Sequence, residues 1–253
     1  MDKKPFEKLA GRIGTLAGGK LHEDCFLVSL CLLIVFFNLG STTFDVASVP
    51  YLNMLGSLVR YALLGIMLVN ALLAGGSYSV RELILIALTG GCILISAMRT
   101  NDKTLLFTLI VIIAARDIPM KRIAKVYFWT YLSIITVVFV LFFLKVLPDY
   151  TMERGEDLVR HSLGFNHPNL LGRLVFTEII SFALGYPERA RNRLFSVCGI
   201  LAAVFVWFVP NSRTAFLCIV LYVVLMLFSQ SAFMRSSFAR AGCYIVPDRK
   251  SVV

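Results

Sequence analysis

The chain has 253 residues, of which 58% are hydrophobic and only 16% charged, and its mean hydropathy is +0.80. A water-soluble domain carries about a quarter charged residues, so this composition excludes an ordinary soluble fold. The net charge of +10 does not point to nucleic acid either, because the basic residues stand between apolar runs rather than along one face of a soluble domain; they read as determinants of membrane topology.

Residues 1–24 carry Lys3, Lys4, Lys8, Arg12 and Lys20 and are too polar and too long for a cleaved leader, so a basic cytoplasmic tail is expected. Residues 25–230 are expected to form one all-α, polytopic transmembrane helical bundle of about eight spans. These fall near 25–40, 56–74, 83–98, 103–115, 126–147, 169–185, 194–210 and 214–230. The runs are continuously apolar, as helices require, whereas barrel strands would alternate over about ten residues. The fourth run is short for a bilayer and reads as a re-entrant or thinned segment.

Lys and Arg place the N-terminus inside. The cytoplasmic segments then hold Arg81, Arg116, Lys121, Arg122, Lys125, Arg189, Arg191, Arg193, Arg235 and Arg240 as well as the tail, against Arg99, Lys103, Arg154, Arg160 and Arg213 outside. One long external loop results, residues 148–168. Residues 231–253 are expected to be a cytoplasmic tail, and the break of the apolar Ala241–Val246 run at Pro247 reads as truncation. The six cysteines are scattered, without a CxxC pair, and read as packing residues. No metal site or cofactor is expected.

The chemistry concentrates in Arg160-His161-Ser162-Leu163-Gly164-Phe165-Asn166-His167-Pro168-Asn169, followed by Gly172 and Arg173. Pro168 suits the first turn of a helix and Asn166 or His167 can cap it. Helix N-termini present unpaired N–H groups and partial positive charge to anions. Asn211-Ser212-Arg213-Thr214 repeats the arrangement one hairpin later. Arg173 and Arg213 sit in helix first turns, where a cation opposes the dipole, and an anionic ligand would resolve that conflict. Arg60 and Lys145 are expected at the same outer depth, and charges at a membrane edge are functional candidates. The inferred ligand is an anion at the outer membrane surface. Alternative readings make His167 only a cap, His161 a solvated loop residue, Arg60 a snorkelling side chain, and Glu178 the partner of a cation on another span, with Arg60 the first candidate.

The pattern R-x-S-x-G-F-x-H-P-N-x-x-G after a long loop, then N-S-R-T, resembles the O-antigen polymerase and ligase superfamily, and more narrowly the capsular and exopolysaccharide repeat-unit polymerases of Gram-positive type. The matching residues are Arg160, Ser162, Gly164, Phe165, His167, Pro168, Asn169, Gly172, Ser212 and Arg213. The resemblance implies a metal-independent glycosyltransferase of the bacterial cytoplasmic membrane, acting at its outer face on an undecaprenyl-diphosphate-linked oligosaccharide. It also implies a chain-length regulator and a flippase as partners. In that picture His167 is the base on the acceptor hydroxyl or its orienter, and Asn169 orients His167 or a sugar hydroxyl. Arg160, Arg173 and Arg213 stabilise the departing diphosphate, with Ser212 and Arg60 beside them. A ligase transferring to a terminal acceptor and a transporter of an anionic lipid or solute are the alternatives. Members of the family usually run on for several more spans, which puts the completeness of the site in doubt.

Overall fold

The computed structural model describes residues 20–43, 50–73, 79–100, 102–116, 118–153 and 159–230. Most of both tails, and with them Arg235 and Arg240, therefore lies outside the described residues, as do Arg154, Glu156 and Asp157 of the loop. The chain divides into two compact units, Met1–Ile134 and Ile135–Val253.

The first unit contains α1 (Lys20–Leu39), α2 (Pro50–Leu73), α3 (Val80–Thr100), α4 (Thr104–Ala114) and the start of α5 (Met120–Phe143). Helix α1 begins with Lys20, so part of the expected tail is already helical. The i, i+4, i+7 stripe of Phe26, Leu30 and Leu33 on α1 packs with Leu63, Leu64 and Met67 of α2. Polar groups fasten α1 to its neighbours: Asn70 Nδ2 of α2 donates to the His22 carbonyl at 2.9 Å, and Arg122 of α5 pairs with Asp24 at 3.0 Å and with Glu23. Arg116 pairs with Glu82 at 3.0 Å.

The second unit contains the rest of α5, a hairpin of β1 (Thr151–Glu153) and β2 (Val159–His161), then α6 (Pro168–Gly185), the single turn α7 (Pro187–Ala190), α8 (Arg193–Phe208) and α9 (Arg213–Gln230). The hairpin is antiparallel, with Met152 opposite Arg160; it lies inside what the sequence presents as one long loop. Ile179 of α6, Ala203 and Val206 of α8, and Ala215, Ile219 and Val223 of α9 form the core of a three-helix packing. Its helices approach closely because glycine faces the neighbour twice. A Cβ on Gly172 would lie 2.5 Å from Ser212 Cβ, and one on Gly199 would lie 2.6 Å from Val223 Cγ2.

Helices α1, α2, α3 and α5 contain segments long and apolar enough to cross a membrane, while α4, α8 and α9 are apolar but shorter. The 11 residues of α4 rise only about 16 Å, against a hydrocarbon core of about 30 Å. No residue of α3 is buried, and its Leu83, Ile84, Leu85, Leu88 and Ile95 are all more than half exposed. An apolar surface of that extent is untenable in water and is what lipid solvates. The chain is an all-α helical protein with apolar, membrane-length helices.

Candidate functional site

Pro168 starts α6 with its fixed φ and missing N–H, as the first helical position favours, and the cap is His167. Its backbone is extended, with φ −156° and ψ 133°, and its Nδ1 accepts the Asn169 N–H at 3.0 Å. The capping reading of His167 is thus realised in the structure. The contact also sets the tautomer: Nδ1 must present its lone pair, so in the neutral ring the proton sits on Nε2. Asn169 engages His167 through its backbone, because its side chain is used elsewhere.

That side chain meets Arg160. The Arg160 residue is only 6% exposed; its Nε donates to the Pro210 carbonyl at 2.9 Å and its Nη2 donates to Asn169 Oδ1. The guanidinium thus links the first turn of α6 to the turn that precedes α9, bringing together Asn169 and Pro210, 41 positions apart in the chain. Two more contacts hold the same join: the His161 N–H donates to the Val209 carbonyl at 3.1 Å, and Gly172 lies against Ser212. Ser212 itself is 5% exposed, donates its N–H to the Val206 carbonyl at 3.2 Å, and accepts the first helical bond of α9 from Phe216 at 2.9 Å. Asn211 takes φ 45°, a conformation that asparagine tolerates better than most residues, and its Nδ2 donates to the Trp207 carbonyl at 3.0 Å.

Arg173 and Arg213 each follow directly on a member of the Gly172–Ser212 contact, and both are exposed. Two helix N-termini and three arginines therefore share one end of the α6–α9 pair. Arg60 belongs to the first unit, where its Nη2 donates to Ser57 at 3.0 Å and its guanidinium lies 5.4 Å from the centroid of the Phe37 ring. Because α2 begins at Pro50, Arg60 stands in mid-helix rather than one turn in. Lys145 is exposed in the turn after α5, at φ 59°. The expected pairing of Glu178 is not formed: both its carboxyl oxygens are buried without a hydrogen-bond partner among the described residues.

Asp149 is the residue that sequence reasoning passed over. Its Oδ1 accepts the N–H groups of Ser162 at 3.0 Å and Leu163 at 2.9 Å, and its Oδ2 lies 2.6 Å from His161 Nδ1. Ser162, fully buried, returns the tie by accepting the Tyr150 N–H on its Oγ at 3.1 Å. Leu163 and Gly164 then turn the chain at φ 50° and 89°, and Phe165 is fully buried below them. Burial pushes the Asp149 carboxyl up, but the His161 ring and the two backbone N–H groups outweigh it and hold the pKa below the usual carboxylate value. A depressed folded pKa contributes stability that is present above the unfolded value, about 3.9, and is lost as pH falls through the folded one. The amides of Ser162 and Leu163 should therefore be protected from hydrogen exchange at neutral pH and lose that protection, after correction for intrinsic rates, in strong acid. Protection that is independent of pH would rule out the carboxylate as their acceptor.

Among the described residues no group of three or more His, Cys, Asp or Glu side chains is placed to hold a metal ion. Fold and site together define a helical protein with membrane-length apolar helices and two helix starts joined through a buried arginine. No protein-family model, curated protein or solved structure matches the chain.

Proposed function

We propose that the chain is a multi-pass glycosyltransferase of the bacterial cytoplasmic membrane that transfers undecaprenyl-diphosphate-linked oligosaccharide to an acceptor sugar at the outer face. The proposal includes about eight spans, an inside N-terminus, and a chain-length regulator and flippase as working partners. One observation carries it: Arg160 ties Asn169 to Pro210, so the two motif segments that resemble the polymerases form a single structural unit.

In this reading the lipid diphosphate rests against the adjoining N-termini of α6 and α9, where unpaired N–H groups and helix dipoles favour an anion. Arg173 and Arg213 supply charge-assisted, forked hydrogen bonds to the departing diphosphate. Arg160 holds the two helix starts together beneath them. His167, with its proton on Nε2, orients oxygen as a donor rather than acting as the base.

The test is reconstitution of the chain in lipid vesicles with an undecaprenyl-diphosphate-linked oligosaccharide. Lengthened glycan and released undecaprenyl diphosphate are expected. Arg213→Lys should lose most of that activity, since an ammonium cannot reproduce the guanidinium fork. A wild-type chain that releases no lipid diphosphate would refute the proposal.

A further inference from the structure

The loop holds two histidines in opposite hydrogen-bonding states, and that difference assigns chemistry. His167 Nδ1 accepts a backbone N–H, so the Nδ1–H tautomer does not fit there, and in the neutral ring the remaining nitrogen carries the proton. In that state the one lone pair of the ring, on Nδ1, is already engaged by the Asn169 N–H. His161 is the reverse case. Asp149 Oδ1 already accepts two backbone N–H groups, and its Oδ2 faces His161 Nδ1 at 2.6 Å. The ring nitrogen donates, and in the neutral ring Nε2 carries the lone pair. A carboxylate that fixes the tautomer of a histidine and stabilises its protonated form is how an imidazole is prepared for general-base work.

The placement suits that role. The His161 side chain is 45% exposed, and Nε2 is the ring nitrogen that Asp149 leaves unengaged. Its backbone is pinned by the β1–β2 pairing and by the Val209 carbonyl, so the ring stands on a fixed element. Strand alternation sends the neighbouring Arg160 inward to Asn169 and Pro210 and His161 to the exposed face. The catalytic candidate is thus the residue directly bonded in sequence to the one that joins α6 to α9.

We infer that His161 is the general base on the acceptor hydroxyl and that Asp149 is its positioning residue. This rests on the glycosyl-transfer reading above. In the step, the acceptor hydroxyl oxygen forms its bond to the anomeric carbon of the lipid-linked glycan while His161 Nε2 takes the hydroxyl proton. The bond from that carbon to the diphosphate breaks, and its electron pair leaves on the diphosphate oxygen. The imidazolium, held by the Asp149 carboxylate, then returns its proton to water. No oxidant, metal or further reactant is needed.

Two measurements test the assignment. Imidazole ¹⁵N NMR of the full chain in lipid nanodiscs reads the tautomers of its three histidines, identified by single His→Gln substitutions. An unprotonated Nε2 on His161 and an unprotonated Nδ1 on His167 are expected. Release of undecaprenyl diphosphate from the lipid-linked oligosaccharide reads the chemistry. His161→Gln, whose amide can still donate to Asp149, should slow release by ~10²–10⁴-fold. His167→Asn, which keeps a cap acceptor, should lose far less. Asp149→Asn should both slow release and move the His161 ¹⁵N signals, an effect a purely structural carboxylate would not produce. A wild-type rate in His161→Gln, or a proton on His161 Nε2, overturns this inference and leaves the transfer reading standing. A wild-type chain that releases no lipid diphosphate overturns both.

Discussion

Arg160→Met is expected to destabilise the second unit and, on the transfer reading proposed above, to abolish glycan transfer. The side chain is buried and donates to the Pro210 carbonyl and to Asn169 Oδ1. Its loss strands both acceptors, at about 1–3 kcal/mol for each that stays buried and unpaired. Arg160→Lys should fare little better, because a single ammonium cannot reproduce two directed N–H contacts on separate elements. The start of α6 and the turn before α9 would then be held less firmly, by the His161–Val209 and Gly172–Ser212 contacts, and with them Arg173 and Arg213. Thermal unfolding of the protein in nanodiscs, followed alongside lipid-diphosphate release, separates the two losses. An Arg160→Met protein with wild-type melting and wild-type release would show that this link has no part in either.

Gly172→Ala comes next in expected effect. The new Cβ would lie 2.5 Å from Ser212 Cβ and 2.8 Å from Ser212 Oγ. Ser212 Cβ is one bond from the backbone, so it cannot swing aside as the end of a long side chain can, and the two helices must move apart. Overpacking of this kind costs about 1–3 kcal/mol, partly offset by the better helix propensity of alanine over glycine, about 0.8–1.0 kcal/mol. A lower melting temperature and reduced release are expected, with partial recovery in Gly172→Ala/Ser212→Gly, which removes the atoms in conflict. An unchanged melting temperature in Gly172→Ala would mean that α6 and α9 do not cross there.

Much of the helical layout was legible along the chain. Apolar runs long enough for a bilayer lie within or close to the helices, and Pro168 marks the start of α6 where its missing N–H is harmless. The shortness of the fourth run was legible as well, and α4 is an 11-residue helix. The hairpin was not. Strands of three residues carry too little period-two alternation to stand out from a polar loop. Asp149 escaped for the same reason. Twelve residues separate it from His161, no spacing rule connects them, and only the turn of the hairpin brings them together. An acid near the end of an apolar run looks like any solvated loop residue until its partners are in place.

The division between the two kinds of information follows from the range of the forces involved. Composition and apolar run length determined by themselves that the chain is helical and lipid-directed, because transfer of side chains from water adds up residue by residue and needs no neighbour. Local backbone chemistry likewise determined the start of α6, since Pro168 and its cap act within one turn. The partner of His161 was decided only by the tertiary structure, whereas the cap made by His167 is local. A ring's tautomer depends on what its nitrogens touch: for His167 that is the N–H of its own helix, and for His161 it is a carboxylate delivered across a hairpin. The join of α6 to α9 through Arg160 and Gly172 likewise exists only once the chain has folded back on itself, because both hydrogen bonding and steric contact vanish beyond a few ångströms.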